Sequence, residues 1–547
     1  MTAAPASPAD PASPAGSASP ADTASRLLWW PLLVLAIAAV AGFVAAVAVR
    51  LPYPHELEWM EGALADHAWR VAHGLPLYCE PGPEHVPFLY APLLFWLGGL
   101  GITLGCDGIT ALRLIATGFT IASAMLVGHW VRVESKRVLP GLVASGLFVA
   151  GYGWLAWWYD LARNDALFVF WTLLTAYQLR HGGPRRWLWA ALLATVAVLS
   201  KQSALMWLPA IGVGALCHDW RNALRFAAAS FVALATALGA LHLASDGWST
   251  FYMFEMPRLH GIVGDRKLGF WTEDALPMLP LLLLGLCGFV AQCRDGTGRA
   301  ALFLAAFGSG GLMTSWLSRL HVGGFDNVLM YGFAGACVLG PIAATARARW
   351  LAIAGPLLLL AQFGWLGHAA WTRGFATLLP SAAHRQAHDE LVAFVTTQPG
   401  PVWIPAHGHV STRAGKGTGA HGQAIFDLLQ ALPKLPNGQF DLEAALVDRR
   451  RLAGLPARTQ QAITALFDRT HAALRERRFA AIVVDEAGAG MFPAVFFLGL
   501  AGPDGAPGTA DDPYVRLPGP LLREPTALRP LLGFEAHSPY ALVPSKH

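Results

Sequence analysis

Long apolar segments recur along most of this 547-residue chain, and they constrain its fold more than any other feature. About 20 apolar residues in a helix span the hydrocarbon core of a bilayer, and shorter runs suit broken or partly buried helices. Only 14% of the residues are charged, whereas a soluble globular protein carries about 25%. We therefore predict a polytopic α-helical membrane protein with about eleven transmembrane helices. The runs are 27–49, 109–131, 139–158, 165–180, 187–200, 203–217, 224–243, 275–292, 300–317, 327–344 and 350–368.

The loops between these runs alternate in charge, and this alternation predicts their sidedness. Cytoplasmic loops of membrane proteins are enriched in Lys and Arg. The basic loops carry Arg132, Lys136, Arg137, Arg180, Arg185, Arg186, Arg221, Arg225, Arg294, Arg299, Arg347 and Arg349. The alternate loops carry Glu56, Glu58, Glu61, Asp66, Glu80, Glu84, Asp107, Asp160, Asp165, Asp246, Glu255, Asp265, Glu273 and Asp274. We therefore predict a cytoplasmic N-terminus and place the chain after residue 370 on the outer side.

The two ends of the chain differ in composition from its apolar middle. Residues 1–25 are rich in Ala, Pro and Ser and predict a disordered tail, while residues 26–370 form the predicted transmembrane domain. In residues 371–547, PVWIPA and AAIVVDE indicate buried strands, and HDELVAFVTTQ and ALRERRF indicate helices. This alternation predicts a small outer α/β domain with a parallel sheet. The six cysteines make no disulfide framework; Cys79 and Cys106 share the outer side and either pair or stay free.

The first outer loop, residues 50–108, brings several carboxylates close to the predicted membrane surface. They are Glu56, Glu58, Glu61 and Asp66. A carboxylate costs free energy where water is scarce, so its presence there indicates a function. We predict a helix from Glu58 to Val71, in which Glu58 and Glu61 share a face at i and i+3. This loop is our first candidate for a catalytic carboxylate.

Two further polar clusters lie at predicted outer ends of the apolar runs. The segment YDLARND contains Asp160, Arg163 and Asp165, of which Asp165 could simply cap the next helix. The segment LSKQSA contains Lys201, which either snorkels to the membrane interface or binds a lipid phosphate. Asp160 and Arg163 are not required for capping, so they are stronger candidates for a functional site.

Two outer loops nearer the C-terminal region also combine charged and aromatic residues. The segment SWLSRLHVGGFDNVLM places Arg319 and His321 beside a Gly-Gly turn, with an ordinary outer loop as the alternative. The loop 244–274 contains Arg258 and His260 beside aromatic residues that suit a membrane interface. Because this long loop is both aromatic and basic, we predict that it forms a lid over a lipid-linked substrate.

A resemblance to the GT-C superfamily of membrane glycosyltransferases rests on four segments in order: ELEWMEG…GLPLY…VPFLYAPL, DLARND, LSKQS and RLHVGGFDNVLM. Within that superfamily the chain looks like the RgtA/B/C/D-like, or dolichyl-phosphate-mannose-protein mannosyltransferase-like, group. The resemblance covers roughly residues 27–370. It implies a polyprenyl-phosphate-linked sugar donor and transfer to a lipid, glycan or protein acceptor at the outer face of the bacterial inner membrane. We expect contacts with membrane lipids and no nucleic-acid partner.

The resemblance also implies roles for individual residues, beginning with an acidic residue in the first outer loop that deprotonates the acceptor hydroxyl. Better-known members carry an adjacent Asp-Glu pair there, whereas this chain has Met60-Glu61, with Glu58 three residues before Glu61. The base is therefore Glu61 or Glu58; we assign Glu61, with Glu58 as its partner or substitute. Asp160 and Asp165 are assigned to acceptor or sugar hydroxyls. The candidate ligands of the donor phosphate are Arg163, Lys201, Arg319 and His321.

The sequence assigns no metal ligands, because no Cys/His cluster has the spacing of a zinc site. A divalent cation at the donor is left open, since the aspartate position of the family's acidic pair is vacant. The Gly-rich stretch 502–512 carries three aspartates that would suit calcium, with a solvated turn as the alternative.

Two other classes of protein share some of these features. A transporter or flippase of lipid-linked sugars would show internal repeats and polar residues near mid-membrane, whereas here the polar groups collect at one face. A non-catalytic envelope scaffold presenting the C-terminal domain does not explain why charged groups gather in several outer loops. Covalent attachment of a sugar to an acceptor would distinguish an enzyme from both.

Overall fold

The computed structural model describes most of the chain after the N-terminal tail. The described residues are 20–346, 348, 350–374, 377–432, 434, 449–485, 512–528, 530–532 and 539–545. Most of the predicted disordered tail and nearly all of the candidate calcium loop at 502–512 lie outside these ranges.

Helices account for almost all of the described chain up to residue 373. In order they are α1 (Pro20–Arg50), α2 (Glu61–Ala72), α3 (Leu93–Thr103), α4 (Gly108–Ser135), α5 (Val138–Ala150), α6 (Asp165–His181), α7 (Arg186–Ser200), α8 (Ala204–His218), α9 (Trp220–Ala244), α10 (Trp248–Thr250), α11 (Met256–Leu259), α12 (Arg266–Gly269), α13 (Leu279–Arg294), α14 (Gly298–Leu320), α15 (Leu329–Ala343) and α16 (Leu351–Arg373). Short π-helices occupy Phe251–Glu255 and Phe270–Asp274. Every predicted apolar run coincides with one of these helices: α1, α4 to α9 and α13 to α16.

Seven helical segments within the described residues are long and apolar enough to cross a membrane. They are Leu27–Arg50, Gly108–Ser135, Trp220–Ala244, Arg266–Arg294, Gly298–Leu320, Asp326–Ala343 and Leu351–Arg373. The predicted runs that form α5, α7 and α8 are shorter apolar helices packed among them. A further apolar helix, α3, lies inside the first outer loop rather than among the predicted spans. The predicted class, a polytopic helical membrane protein, is confirmed.

Small residues let the spanning helices approach one another closely. A Cβ added at Gly146 of α5 would lie 2.2 Å from the Cβ of Ala36 in α1. One added at Gly128 of α4 would lie 2.7 Å from the carbonyl oxygen of Gly141 in α5. Membrane helices associate through this kind of close van der Waals packing, since lipid tails offer no hydrophobic driving force between them. The three helices are therefore fixed backbone against backbone.

The C-terminal part is an α/β unit, as predicted. Its helices are α17 (Ala382–Thr397), α18 (Val410–Arg413), α19 (Gly422–Leu429) and α20 (Ala457–Arg475), and its strands are β1 (Val402–Trp403), β2 (Ala481–Asp485), β3 (Tyr514–Arg516) and β4 (Pro539–Pro544). The sheet order is β1-β2-β4-β3. Strands β1 and β2 are the predicted pair and run parallel, whereas β4 is antiparallel to both β2 and β3. The sheet is therefore mixed rather than wholly parallel.

The C-terminal unit packs on the end of the helix bundle that we predict to be outer. Leu532 N donates to the carbonyl of Leu57 at 3.0 Å in the first outer loop. His409 N donates to the carboxylate of Asp66 in α2 at 2.9 Å. These contacts cover α2, most of whose residues are buried. Cys79 and Cys106 are free thiols.

Candidate active site

The helix that carries the candidate base starts later than predicted. It begins at Glu61, and Glu58 lies in the turn before it. Two local hydrogen bonds account for this boundary: Met60 N donates to Glu58 Oε2 at 3.2 Å, and Leu57 N donates to Glu61 Oε2 at 2.7 Å. A short side chain-to-backbone contact of this kind competes with helical hydrogen bonding. Glu58 and Glu61 consequently face different partners.

Glu61 is fully buried, and both of its carboxylate oxygens are occupied. Oε1 accepts from Arg113 Nε at 2.9 Å and from Ala162 N at 2.8 Å. Oε2 accepts from Arg113 Nη2 at 2.5 Å as well as from the backbone of the preceding turn. Burial alone would raise the pKa of Glu61, but Arg113 and the backbone donors hold it below its ordinary value. A carboxylate bound in this way is ionised and is a weak proton acceptor.

Arg113, on α4, organises the whole first outer loop. Besides its two bonds to Glu61, it donates to the carbonyls of Arg50, Tyr53 and His55 at 3.1, 2.7 and 2.8 Å. These contacts use all five N–H donors of a guanidinium group. The end of α1 and the turn before α2 are thereby fixed to one buried side chain.

Asp160 takes part in a second buried ion pair. Its Oδ2 accepts from Arg50 Nε at 2.6 Å, and its Oδ1 accepts from Arg50 Nη2 at 3.1 Å and from Tyr152 OH at 2.9 Å. Arg50 also donates to the carbonyl of Leu378, beyond α16. The structure therefore places the predicted hydroxyl ligand Asp160 in a bidentate pair that joins the end of α1 to the turn before α6.

Glu58 differs from these carboxylates because it has an unoccupied oxygen. The side chain is 1% exposed, and Oε1 has no hydrogen-bond partner among the described residues. Its other oxygen lies 3.4 Å from Arg163 Nη1, at the long end of a charged contact. Burial raises the pKa of Glu58 to about 7, although Arg163 opposes the shift. Glu58 thus combines a buried, weakly paired carboxylate with a free acceptor atom.

Arg163 lies between Glu58 and aromatic side chains. Its Nη2 donates to Tyr90 OH at 2.8 Å, and its guanidinium carbon lies 5.3 Å from the ring centre of Tyr90 and 5.1 Å from that of Trp158. Its Nε is buried and has no hydrogen-bond partner among the described residues. Buried polar groups are nearly always hydrogen-bonded, so an arginine with an unused N–H donor is a candidate for binding an anion.

Asp165, the first residue of α6, gathers donors from two other segments of the chain. Its Oδ1 accepts from Lys201 Nζ at 2.7 Å, from Asn327 Nδ2 at 3.0 Å and from Tyr331 OH at 2.7 Å. Its Oδ2 is buried and makes no hydrogen bond within the described part of the chain. Helix capping alone does not account for this arrangement. Lys201 is therefore paired with Asp165, whereas a lysine that snorkels to the membrane interface would have its ammonium group in water.

The remaining predicted residues lie at the edge of this cluster. Arg319 forms a bidentate pair with Asp274, with Nε–Oδ2 at 2.8 Å and Nη2–Oδ1 at 3.0 Å. His321 and His260 stand ring to ring at 4.9 Å, and His260 Nε2 contacts the carbonyl of Asp427 at 2.9 Å. The predicted lid segment is therefore attached to both the end of α14 and the C-terminal unit. Arg258, also assigned to this segment, is exposed.

Sequence reasoning missed several residues that the fold brings to this cluster, among them Tyr90 and Asp427. Tyr90 lies in the VPFLYAP segment, where an aromatic residue near the membrane carries no distinctive signal. Asp427, on α19, is buried, and burial raises its pKa to about 8 although Gln423 and Arg163 oppose the shift. A lone aspartate on an amphipathic helix of a separate domain gives no indication of this neighbourhood. Outside the cluster, the donor atoms of Glu56, His388 and His407 lie close enough to share a metal ion.

Comparisons with known proteins identify the fold. The structure is similar to crystal structures of ArnT from Cupriavidus metallidurans. Against ArnT bound to undecaprenyl phosphate the TM-score is 0.53 at 12% identity, covering 83% of this chain and 93% of that one. Against ArnT in the apo state the TM-score is 0.51 at 13% identity, covering 84% and 93%. The archaeal oligosaccharyltransferase AglB from Archaeoglobus fulgidus aligns with a TM-score of 0.47 at 12% identity, covering 84% and 69%.

Sequence comparisons add little to this result. A family described as "Trans-sialidase of Trypanosoma hydrophobic C-terminal" matches residues 273–292, a segment that consists mainly of one apolar helix. A search of curated proteins finds no match. The fold and the helices together define a multi-pass membrane protein with an attached α/β unit. Its fold is that of the ArnT crystal structures.

Proposed function

We propose that the chain transfers a sugar from a polyprenyl-phosphate donor to a lipid, glycan or protein acceptor at the outer face of a bacterial inner membrane. One observation carries the proposal. Glu58, Arg163 and Asp165 form a buried cluster at one end of the helix bundle, and each has a charged-group atom with no hydrogen-bond partner among the described residues. Such atoms are rare in folded proteins unless a substrate or water binds them.

Glu58 is the proposed general base. Its Oε1 would take the proton from the acceptor hydroxyl as the acceptor oxygen bonds to the anomeric carbon of the sugar. The bond between that carbon and the phosphate oxygen breaks, and polyprenyl phosphate leaves. Glu61, which sequence reasoning favours as the base, has both oxygens bound by Arg113 and backbone N–H groups, so its contacts support a positioning role instead.

Arg163 is the proposed ligand of the leaving phosphate. Its guanidinium group retains its Nε–H donor and lies next to Glu58, so base and phosphate ligand would act on the same small volume. Preorganised donors aimed at developing charge give large rate effects in sites that exclude water. Lys201 and Arg319, also assigned to the phosphate, are each paired with an aspartate and would contribute by orienting Asp165 and Asp274.

An apolar cavity next to the cluster supports a lipid-linked donor. It measures about 240 Å³ and lies between α13, α14 and α15. Its lining includes one glycine from each of these helices, Gly285, Gly308 and Gly332. Gly332 follows Tyr331, which donates to Asp165. The cavity would hold part of an isoprenoid chain while the phosphate lies at Arg163, and ArnT, bound to undecaprenyl phosphate, shares the fold.

Mass spectrometry of envelope glycolipids, glycans and glycoproteins tests this function directly. Cells with the wild-type protein, with Glu58→Gln, or with no protein would be compared. A sugar that is missing from both the deletion strain and the Glu58→Gln strain is the expected result, and it also identifies the acceptor. No covalent difference between the wild-type and deletion strains would contradict the proposal and favour a transporter or a scaffold.

A further inference from the structure

Two histidines of the C-terminal unit meet a glutamate of the first outer loop. Glu56, His388 and His407 are 2%, 1% and 2% exposed, and one potential ligand atom from each lies within 4.8 Å of the others. Ligand atoms of a tetrahedral zinc site lie about 3.3 Å apart, given bonds of about 2.0–2.1 Å. Side-chain movements of about 1 Å would therefore bring the three groups to one ion.

His388, on α17, is oriented as a metal ligand would be. Its Nδ1 contacts the carbonyl oxygen of His384 at 2.9 Å, so this nitrogen carries the proton and donates. Its Nε2 is then left with the lone pair, and it is buried with no hydrogen-bond partner among the described residues. Metal-binding histidines commonly donate their second ring nitrogen to a backbone carbonyl in this way.

The other two groups are fixed toward each other by their backbones. His407 Nδ1 lies 3.2 Å from Glu56 Oε2, and Glu56 Oε1 accepts from Gly62 N at 3.1 Å. Gly62 and Gly408 face each other so closely that a Cβ on Gly62 would lie 2.3 Å from the carbonyl oxygen of Gly408. The approach requires glycine at both positions, because a side chain at either would collide with the facing backbone. This close approach places His407 against Glu56.

The ring stack around the trio provides an outer layer. His55 lies with its ring centre 4.9 Å from that of His388 and bonds through Nε2 to Asp389 at 2.8 Å. His384 lies 4.6 Å from His388, centre to centre. Second-layer partners of this kind orient metal ligands and are a regular part of metal sites.

We propose that one divalent transition-metal ion such as zinc binds to Glu56, His388 and His407. This ion fastens the first outer loop to the C-terminal unit. Two imidazoles and one carboxylate are a donor set that suits zinc. Any proton on His407 Nδ1 or on Glu56 that occupies a ligand position is released to solvent when the ion binds. Its ligands do not include Glu58 or Arg163, so the proposal does not depend on the proposed glycosyl transfer.

The test uses the full-length protein in detergent, first treated with a chelator and desalted. Zinc is then titrated, and bound metal per chain is measured by plasma mass spectrometry alongside the thermal unfolding midpoint. We expect one zinc ion per chain and a rise in the midpoint that saturates at one equivalent. Cobalt in place of zinc should give the visible absorption bands of a low-symmetry, four-coordinate site.

Variants locate the ion. Glu56→Gln, His388→Gln and His407→Gln should each lower the bound metal at least tenfold and remove the zinc-dependent rise. The matched control is His471→Gln, which changes a partly buried histidine of α20 in the same unit. It should keep both the bound metal and the zinc-dependent rise in the midpoint. The proposal is overturned by metal bound equally in all three variants, or by a wild-type midpoint that does not respond to zinc. The wild-type titration decides the question even if a variant fails to fold.

Discussion

Replacing Glu58 by glutamine separates proton transfer from structure. The glutamine oxygen can still accept from Met60 N, which now donates to Glu58 Oε2 at 3.2 Å, and the pair with Arg163 is already long at 3.4 Å. We therefore expect a stability loss of only about 1 kcal/mol, the size of one ordinary hydrogen bond. A lost general base lowers turnover by about 10²–10⁴-fold. The change should thus abolish most of the product while leaving a folded protein.

Glu61→Gln should give the opposite result. It would remove one negative charge from a pair in which Glu61 and Arg113 are both completely buried. Breaking such a pair costs about 3–5 kcal/mol, because the remaining charge stays buried without compensation. We expect a lower thermal midpoint and lower protein levels, with product falling in proportion to the folded protein that remains.

The assay is the mass of the glycosylated product in cells, normalised to the amount of protein in the membrane, with the thermal midpoint measured on purified protein. Glu84→Gln is the matched control, since Glu84 is an exposed residue of the same loop and pairs with Arg478 at the surface. It should leave both quantities unchanged. The assignment of Glu58 as the base would be refuted if Glu58→Gln gave as much product per protein as the wild type. It would also be refuted if Glu61→Gln gave a stable protein that made no product.

Three further perturbations follow from contacts in and beside the site. Lys201→Ala leaves Asp165 without its cation, so we expect a large fall in kcat and a smaller change in the KM for donor. A raised KM with an unchanged kcat would instead indicate that Lys201 binds the donor phosphate. Asp427 ionises near pH 8 when folded but near pH 4 when unfolded, so its stability contribution falls as the pH rises between these values. The melting temperature of Asp427→Asn relative to wild type should therefore increase from pH 5 to pH 8, and a constant difference would contradict this. Gly285→Leu should fill the cavity and raise KM for a long-chain donor more than for a short-chain analogue, at an unchanged melting temperature; equal effects on both donors would exclude the cavity as a chain site.

The helices were predictable because their signal is local. Each apolar run is a property of about 20 neighbouring residues, and each contains a helix; only the run 139–158 ends much earlier than expected, at Ala150. The parallel pairing of β1 and β2 also follows from two apolar segments separated by a helix. Strands β3 and β4, the antiparallel part of the sheet, were missed: β3 has only three residues, and PYALVP of β4 begins and ends with a proline.

The site was only partly predictable because its specificity comes from long-range pairing. The sequence places Glu58 and Glu61 three residues apart and cannot distinguish them, since the difference lies in Arg113, which occupies one and leaves the other open. The pairing of Asp160 with Arg50 spans 110 positions. The trio of Glu56, His388 and His407 joins segments more than 300 positions apart, so no spacing pattern marks it.

The clamp centred on Arg113 has a consequence for biogenesis. Arg113 lies on α4, yet three of its bonds go to carbonyls that precede α2. The nascent first loop can close only after α4 has entered the membrane, and Arg50 gains Asp160 only when the next hairpin follows. The last contacts to form are those of Glu56 and Asp66, because their partners lie at residues 407–412 and are synthesised much later. The first loop is thus completed in stages, and the C-terminal unit supplies the final stage.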